Sequence, residues 1–313
     1  MISGSRSLFF ALLASAAAAG EPLELLRDPR FQNGFRALDP AHGRKVVRGT
    51  LAGPGGGKPV WQLAQWHSRY SIADAAPQRL PSGAVRYANA AKSITIAPEG
   101  TPDADLILGV DSRPEWPDRH RRRGDGWPHL LVQQSISDCP SLAALGRLDF
   151  RIEAHLLHDE RVERDGYTRG LHCAQIHFVL IVQDRNPGSP GHGDFLWFLV
   201  PLYDDRHRSP RPHVAKDLAD PSAKLIFNPG GAAYTNRSLH DREWVTFDTD
   251  LRPLLVKAVR TAWERGYLQK SRDLATIRPT SAILGWEVPG IHRVAMQFRG
   301  LSLKATPAME GVR

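Results

Sequence analysis

Cysteine is nearly absent: Cys139 and Cys173 are the only 2 in 313 residues. So few exclude a small fold stapled by many disulfides, and they supply no Cys-based zinc spacing. In an oxidising compartment the pair leaves two readings open, a single bridge or two small buried hydrophobes. Long apolar runs are lacking too. The stretch Leu8–Ala19 falls short of the roughly 20 residues that span a bilayer, and no later run reaches that length, so no membrane span is expected. There is no internal repeat, no heptad array and no long low-complexity linker. Also missing are the Gly-x-Ser-x-Gly elbow, a dinucleotide fingerprint and His-Glu-x-x-His. The Gly-rich stretch Ala52–Pro59 has no Gly-Lys-Ser/Thr ending and no helix after it, so it is a hairpin connection and not a phosphate loop.

What is present is ordinary for a folded soluble chain, with 42% hydrophobic and 24% charged residues. Arg6, the apolar run Leu8–Ala19 and then Gly20-Glu21-Pro22 form a secretory signal pattern. Residues 1–19 are therefore expected to be a leader, with 20–313 folding as one domain that is secreted or periplasmic. The formal charge is +8, concentrated in Arg119-His120-Arg121-Arg122-Arg123. No nucleic-acid-binding motif accompanies it. For an exported protein this basic surface points to an acidic polymer, a polysaccharide or oligosaccharide, as partner. Arg123-Gly124-Asp125 spells an adhesion tripeptide, too short to carry weight.

Strand patterns recur at short spacing between Gly, Pro, Asn and Asp. They cover Lys45–Leu51, Val60–Trp66, Val85–Ala97, Leu106–Val110, His129–Ile136, Leu148–His158, Cys173–Gln183, Asp194–Tyr203, Lys224–Phe227, Trp244–Thr249, Ala282–Val288 and Arg293–Lys304. Glu21–Arg48 reads as mostly polar surface chain. One segment has helical periodicity, Arg252–Arg265, with Asp250 placed to cap it and Gly266 to end it. The fold class is all-β: an antiparallel β-sandwich or jelly roll of concanavalin A-like type with one helix.

Two-residue alternation sorts the strand faces. Ala174, Ile176, Phe178, Leu180 and Val182 form a core stripe opposite Gln175 and His177. Leu148, Phe150, Ile152, Ala154 and Leu156 form another, opposite Asp149, Arg151, Glu153 and His155. Trp127, His129, Leu131 and Gln133 share one face of a third strand. If these polar faces converge, Arg151, Gln175, Glu153 and Gln133 line a groove, with Trp127 and Trp197 as stacking platforms for sugar rings.

The strand Gln175-Ile176-His177, with Arg151 and Glu153 in a preceding strand, resembles the jelly-roll alginate lyases of the concanavalin A-like superfamily. The resemblance covers under a tenth of the chain. It implies β-elimination from an acidic polysaccharide, with Arg151 and Gln175 offsetting a uronate carboxylate and His177 acting in proton abstraction. Two departures stand out. The family's Arg-x-Glu-Leu-Arg run reads Arg151-Ile152-Glu153-Ala154-His155, and its Tyr-x-Lys-x-Gly motif is replaced by Phe227-Asn228-Pro229-Gly230-Gly231 with Tyr234 beyond. On chemical grounds the base would be His177 or His129 and the proton donor Tyr203 or Tyr234. The competing chemistry is glycoside hydrolysis, which needs two carboxyl groups about 5–9.5 Å apart. Asp149 and Glu153, four residues along a strand, are about 13 Å apart, so Glu153 would need Asp194 or Asp204. A non-catalytic glycan-binding or cell-surface module is the third reading. No cofactor is expected and no transition-metal spacing occurs; a structural calcium on loop acids is possible at Asp103/Asp105 or Asp204/Asp205.

Overall fold

The computed structural model describes residues 21–101, 105–217 and 224–308. The expected leader and Asp103 lie outside these. In chain order the strands are β1 (Leu23–Glu24), β2 (Gly34–Leu38), β3 (Val47–Ala52), β4 (Trp61–Ala64), β5 (Gln78–Arg79) and β6 (Val85–Ala88). Then come β7 (Lys92–Ile96), β8 (Leu106–Asp111), β9 (His129–Ser135), β10 (Leu145–Arg161), β11 (Gln175–Asp184) and β12 (Phe195–Asp204). The chain finishes with β13 (His213–Lys216), β14 (Leu225–Asn228), β15 (Val245–Asp250), the helix α1 (Arg252–Glu264), β16 (Ile277–Glu287) and β17 (His292–Pro307).

These strands form two sheets. The eight-stranded sheet has the order β15-β10-β17-β8-β7-β6-β5, with β1 paired to β17. The nine-stranded sheet runs β13-β14-β12-β11-β16-β9-β4-β2-β3. All pairings are antiparallel except β12 with β14 and β2 with β4. The sheets pack face to face as the expected sandwich. Both core stripes read from alternation are buried at 3% exposure or less. Phe150 of β10 and Phe178 of β11 meet across the interface, ring centroids 4.6 Å apart. Each fully buried side chain of this size contributes about 1.5–3 kcal/mol relative to leaving it in water.

The helix spans the expected residues. Asp250 Oδ1 accepts from the Arg252 backbone N–H at 3.0 Å, and Gly266 follows the last turn with φ 82°. Leu255, Ala258, Val259 and Ala262 are its buried face.

Three expectations are corrected. Glu21–Arg48 is not mostly surface chain: β2 lies within the nine-stranded sheet with Phe35, Ala37 and Leu38 fully buried. Val85–Ala97 is not one strand but the hairpin β6–β7, because the Asn89 carboxamide oxygen accepts from the Ala91 and Lys92 N–H groups and closes a turn. Cys139 and Cys173 are free thiols, both buried, so the hydrophobe reading holds.

Candidate functional site

The core faces of β10 and β11 point at each other, so their polar faces point apart. Arg151 and Glu153 of β10 lie on the outer face of the eight-stranded sheet, whereas Gln175 and His177 of β11 lie on the outer face of the nine-stranded sheet. The expected groove joining Arg151 and Glu153 to Gln175 and His177 does not form. Alternation assigned each face correctly, but the strands belong to different sheets. Arg151 is instead paired with Asp248 at 2.9 Å and Glu153 at 2.5 Å, and Glu153 also accepts from Arg299 Nε at 2.7 Å.

Both candidate tyrosines are turned away from the outer faces. In β12 the register shifts opposite Ile176–His177: Ile176 pairs with Tyr203 and His177 with Pro201, leaving Leu202 as an extra residue. Such a bulge inverts the alternation beyond it. Tyr203 therefore faces inward with 3% exposure and donates to Asp159 Oδ2 at 2.7 Å. Burial and that carboxylate push its hydroxyl well above the usual tyrosine range. Tyr234 is buried and donates to the Leu199 carbonyl at 3.2 Å.

The same bulge turns Asp204 outward and completes a row across the nine-stranded sheet. Asp204 of β12 pairs with Gln175 of β11, Gln175 with Glu287 of β16, and Glu287 with His129 of β9. All four side chains lie on the outer face, since Tyr203, Ile176, Trp286 and Leu130 beside them are in the core. Gln175 Nε2 donates to Asp204 Oδ2 at 2.8 Å. Arg206 grips the same carboxylate through Nη2 at 2.7 Å and Nε at 2.8 Å. Burial opposes ionisation of Asp204, but Arg206 and Gln175 outweigh it and hold the carboxyl below the usual range. Glu287 is less committed. Its Oε2 accepts from Trp127 Nε1 at 3.2 Å and lies 3.7 Å from His129 Nε2, and its side chain is 33% exposed.

Around Glu287 the rings are dense. Trp127 stacks on His129 with centroids 5.5 Å apart, and Trp66 and His67 each lie 5.9 Å from His129. The Arg121 guanidinium sits 4.8 Å over the Trp127 ring. His129 and His177 are more than nine-tenths buried, and the Nδ1 atom of each has no hydrogen-bond partner. Burial lowers both their pKa values and keeps the rings neutral at pH 7. Between His177 and Leu131 in the register stands Gly285, which leaves that stretch of the face without a side chain.

Along the face the row gives way to an apolar strip: Leu38, Ala64, Leu131 and Ile283, with Trp66, Val179, Ile181 and Trp197 packed against it. A hollow of about 140 Å³ follows, lined by Gln62, Gln133, Ile181, Ser281 and Ile283 among others. Gln133 donates to Gln62 there at 3.1 Å, and Trp197 Nε1 donates to Asp217 at 3.1 Å. At the opposite end a cleft of about 370 Å³ is lined by His67, Arg69, Glu115 and Trp116 among others. Six sequence candidates thus share this face: Trp127, His129, Gln133, Gln175, His177 and Trp197. Four do not: Arg151, Glu153, Tyr203 and Tyr234. Glu287 and Asp204 complete the row. Glu287 is the one charged residue in the strand pattern Ala282–Val288, and the large apolar Trp286 beside it is the signal that could have placed Glu287 on the outward side.

Of the described acids named for calcium, Asp205 lies beside Asp159 and His292, with ligand atoms within 4.8 Å of one another, and the other two are engaged within the chain. Asp105 accepts from the Gly300 N–H at 2.8 Å, and Asp204 is taken by Arg206. Asp194, offered as a hydrolytic partner for Glu153, belongs to the other sheet's end and is paired with Lys224. Among the described residues no helix is long and apolar enough to cross a membrane.

No family model and no curated protein matches the sequence. Solved structures with a similar sandwich include glycoside hydrolases. One is the endoglucanase cel12A from Rhodothermus marinus, 10% identical, covering 75% of this chain and 97% of that chain with a TM-score of 0.39. Another is the xyloglucanase domain of NopAA from Sinorhizobium fredii in complex with cellobiose, 10% identical over 75% and 97% with a TM-score of 0.36. A third is the family 11 xylanase from Neocallimastix patriciarum, 6% identical over 74% and 95% with a TM-score of 0.35. What this chain does therefore rests on its own residues.

Proposed function

We propose that this protein binds a polysaccharide chain along the outer face of its nine-stranded sheet. The observation that carries the reading is the row Asp204–Gln175–Glu287–His129 beside Trp127, at the end of an apolar strip with amide side chains beyond it. A sugar ring presents an apolar face and a rim of hydroxyls. Indole and aliphatic side chains suit the first, while Glu287, Gln133 and Gln62 suit the second. Glu287 is the half-exposed acceptor at the centre of the aromatic cluster, and its charge-assisted hydrogen bonds to sugar hydroxyls would be the strongest polar contacts of the site.

Hydrolysis is the second reading, favoured by one observation. Asp204 and Glu287 stand on either side of Gln175, two strand spacings apart, which is about 9.5 Å between backbones and near the upper end of the inverting range. Arg206 holds Asp204, so Glu287 is the better placed of the two for proton transfer. Elimination loses its main support, because Arg151 and the two tyrosines are not on this face.

The test is a panel of neutral and acidic polysaccharides assayed by affinity electrophoresis, with reducing ends and unsaturated uronate absorbance followed in parallel. Retardation without either product supports binding alone, and new reducing ends lost in Glu287→Gln support hydrolysis. A rise in uronate absorbance would restore elimination. If no polysaccharide retards the protein or is cleaved, the proposal fails.

A further inference from the structure

The two β-bulges create a second constellation, at the end of the sandwich interior. In β10 the register shifts between Leu156 and His158, so Asp159 pairs with core residue Val294 and turns inward. There it meets His292 at the start of β17 and Asp205 just after β12. The three residues offer ligand atoms that all lie within 4.8 Å of one another.

The hydrogen bonds fix the state of the histidine. His292 Nδ1 lies 2.8 Å from Asp159 Oδ1, and Asp159 Oδ2 accepts from the Tyr203 hydroxyl. Each oxygen of Asp159 thus faces a group that can donate to it. An ionised carboxylate only accepts, so Nδ1 must carry the proton and donate. In the neutral ring Nε2 then presents a lone pair. His292 is fully buried, and Nε2 has no hydrogen-bond partner. It faces Asp205 Oδ2 at 3.9 Å. Asp205 Oδ2 also accepts from Arg161 Nη1 at 3.1 Å, but that leaves the His292 Nε2 lone pair facing the same oxygen with no donor of its own, an arrangement that a cation or a proton between them would satisfy. Gly290 keeps the gap open, since a Cβ there would lie 2.7 Å from His292 Nε2.

We propose that a divalent transition-metal ion of the zinc class sits between His292 Nε2 and Asp205, with Asp159 orienting the imidazole. Zinc bonds to nitrogen and carboxylate oxygen are about 2.0–2.2 Å, so donors 3.9 Å apart could both reach one ion, closing somewhat on it to give tetrahedral angles. The Asp159–His292–metal arrangement is the usual way a carboxylate sets the tautomer of a ligating histidine. The nitrogen ligand favours this class over calcium, which takes oxygen. Asp159 and His292 belong to the eight-stranded sheet and Asp205 follows a strand of the nine-stranded one, so the ion would staple the sheets together at this end. The competing occupant is a proton, which would make His292 an imidazolium between two carboxylates.

The full-length protein, stripped with a chelator, is titrated with Zn²⁺, Mn²⁺ and Ca²⁺ while its melting temperature and bound metal are measured. The expected result is a saturable rise in melting temperature with Zn²⁺ and stoichiometric retention after desalting. Both should be lost in Asp205→Asn, whose remaining oxygen can still accept from the Ala174 N–H as Asp205 does at 2.9 Å. Zinc retention by the variant equal to that of the wild type would overturn the proposal, as would a response to Ca²⁺ alone or to no metal. Should Asp205→Asn not fold, ring ¹⁵N shifts of His292 in the wild type decide. Movement of Nε2 on adding zinc supports the site, and an imidazolium with both nitrogens protonated in zinc's presence sinks it.

Discussion

At the residue scale the candidate site depends on which carboxylate is free to act. Arg206 and Gln175 saturate Asp204, whereas Glu287 has one indole donor and a nearby imidazole. Replacing Glu287 by Gln keeps its shape and removes the charge. A hydrogen bond to a charged group contributes about 1.5–3 kcal/mol, so polysaccharide affinity should fall by roughly tenfold to a hundredfold, with little change in melting temperature. Arg151→Ala makes the contrasting prediction. Its partners Asp248 and Glu153 lie on the other sheet's outer face, and the substitution should leave polysaccharide affinity unchanged. Titration calorimetry on both variants checks the pair. A loss of affinity in Arg151→Ala equal to that in Glu287→Gln would mean that the glycan is bound on the eight-stranded sheet.

At the element scale, alternation in the sequence was a good guide to each strand and a poor one to the assembly. The stripes Leu148–Leu156 and Ala174–Val182 are both core, as read. Their polar faces diverge because nothing in either strand says which sheet it joins. The misplacing of Tyr203 has a local cause, which also places Asp159. Bulges at Leu202 and between Leu156 and His158 insert a residue into β12 and β10, so Tyr203 and Asp159 turn inward and Asp204 turns outward. The adjacent Leu156-Leu157 and Leu202-Tyr203 pairs break the apolar–polar rhythm, and they are the sequence trace of these bulges. Gly285 is the other local device. Its φ is 156°, and a Cβ there would lie 2.0 Å from the Leu130 carbonyl oxygen of the neighbouring strand. Gly285→Ala should therefore destabilise the fold by more than about 1 kcal/mol, read as a lower urea midpoint with an unchanged slope. An alanine variant as stable as the wild type would show that β9 and β16 can separate there without cost.

At the scale of the whole molecule, buried neutral histidines set how stability depends on pH. Burial lowers the pKa values of His129 and His177 in the folded chain, outweighing the pull of Glu287 in the opposite direction. In the unfolded chain both rings titrate near the ordinary value of about 6.5. Between that value and the lower folded ones, the unfolded state binds more protons than the folded state. Stability must then rise with pH across this window and fall as the solution is acidified through it. The carboxylates that Arg206 and His292 hold ionised, Asp204 and Asp159, add the same sign at lower pH. Asp205, raised by burial, adds the opposite sign there. The histidine window is thus the cleaner one to measure. Calorimetric melting temperatures should drop as the pH is lowered from neutral through the histidine range. In His129→Gln and His177→Gln the drop over that range should be shallower, because each removes one proton-binding group from the unfolded chain. A melting temperature that stays flat in the wild type down to the carboxylate range would mean that the two rings take up protons in the folded protein as readily as in the unfolded chain. They would then be neutral hydrogen-bonding groups beside Glu287 only above the ordinary histidine range of about 6.5.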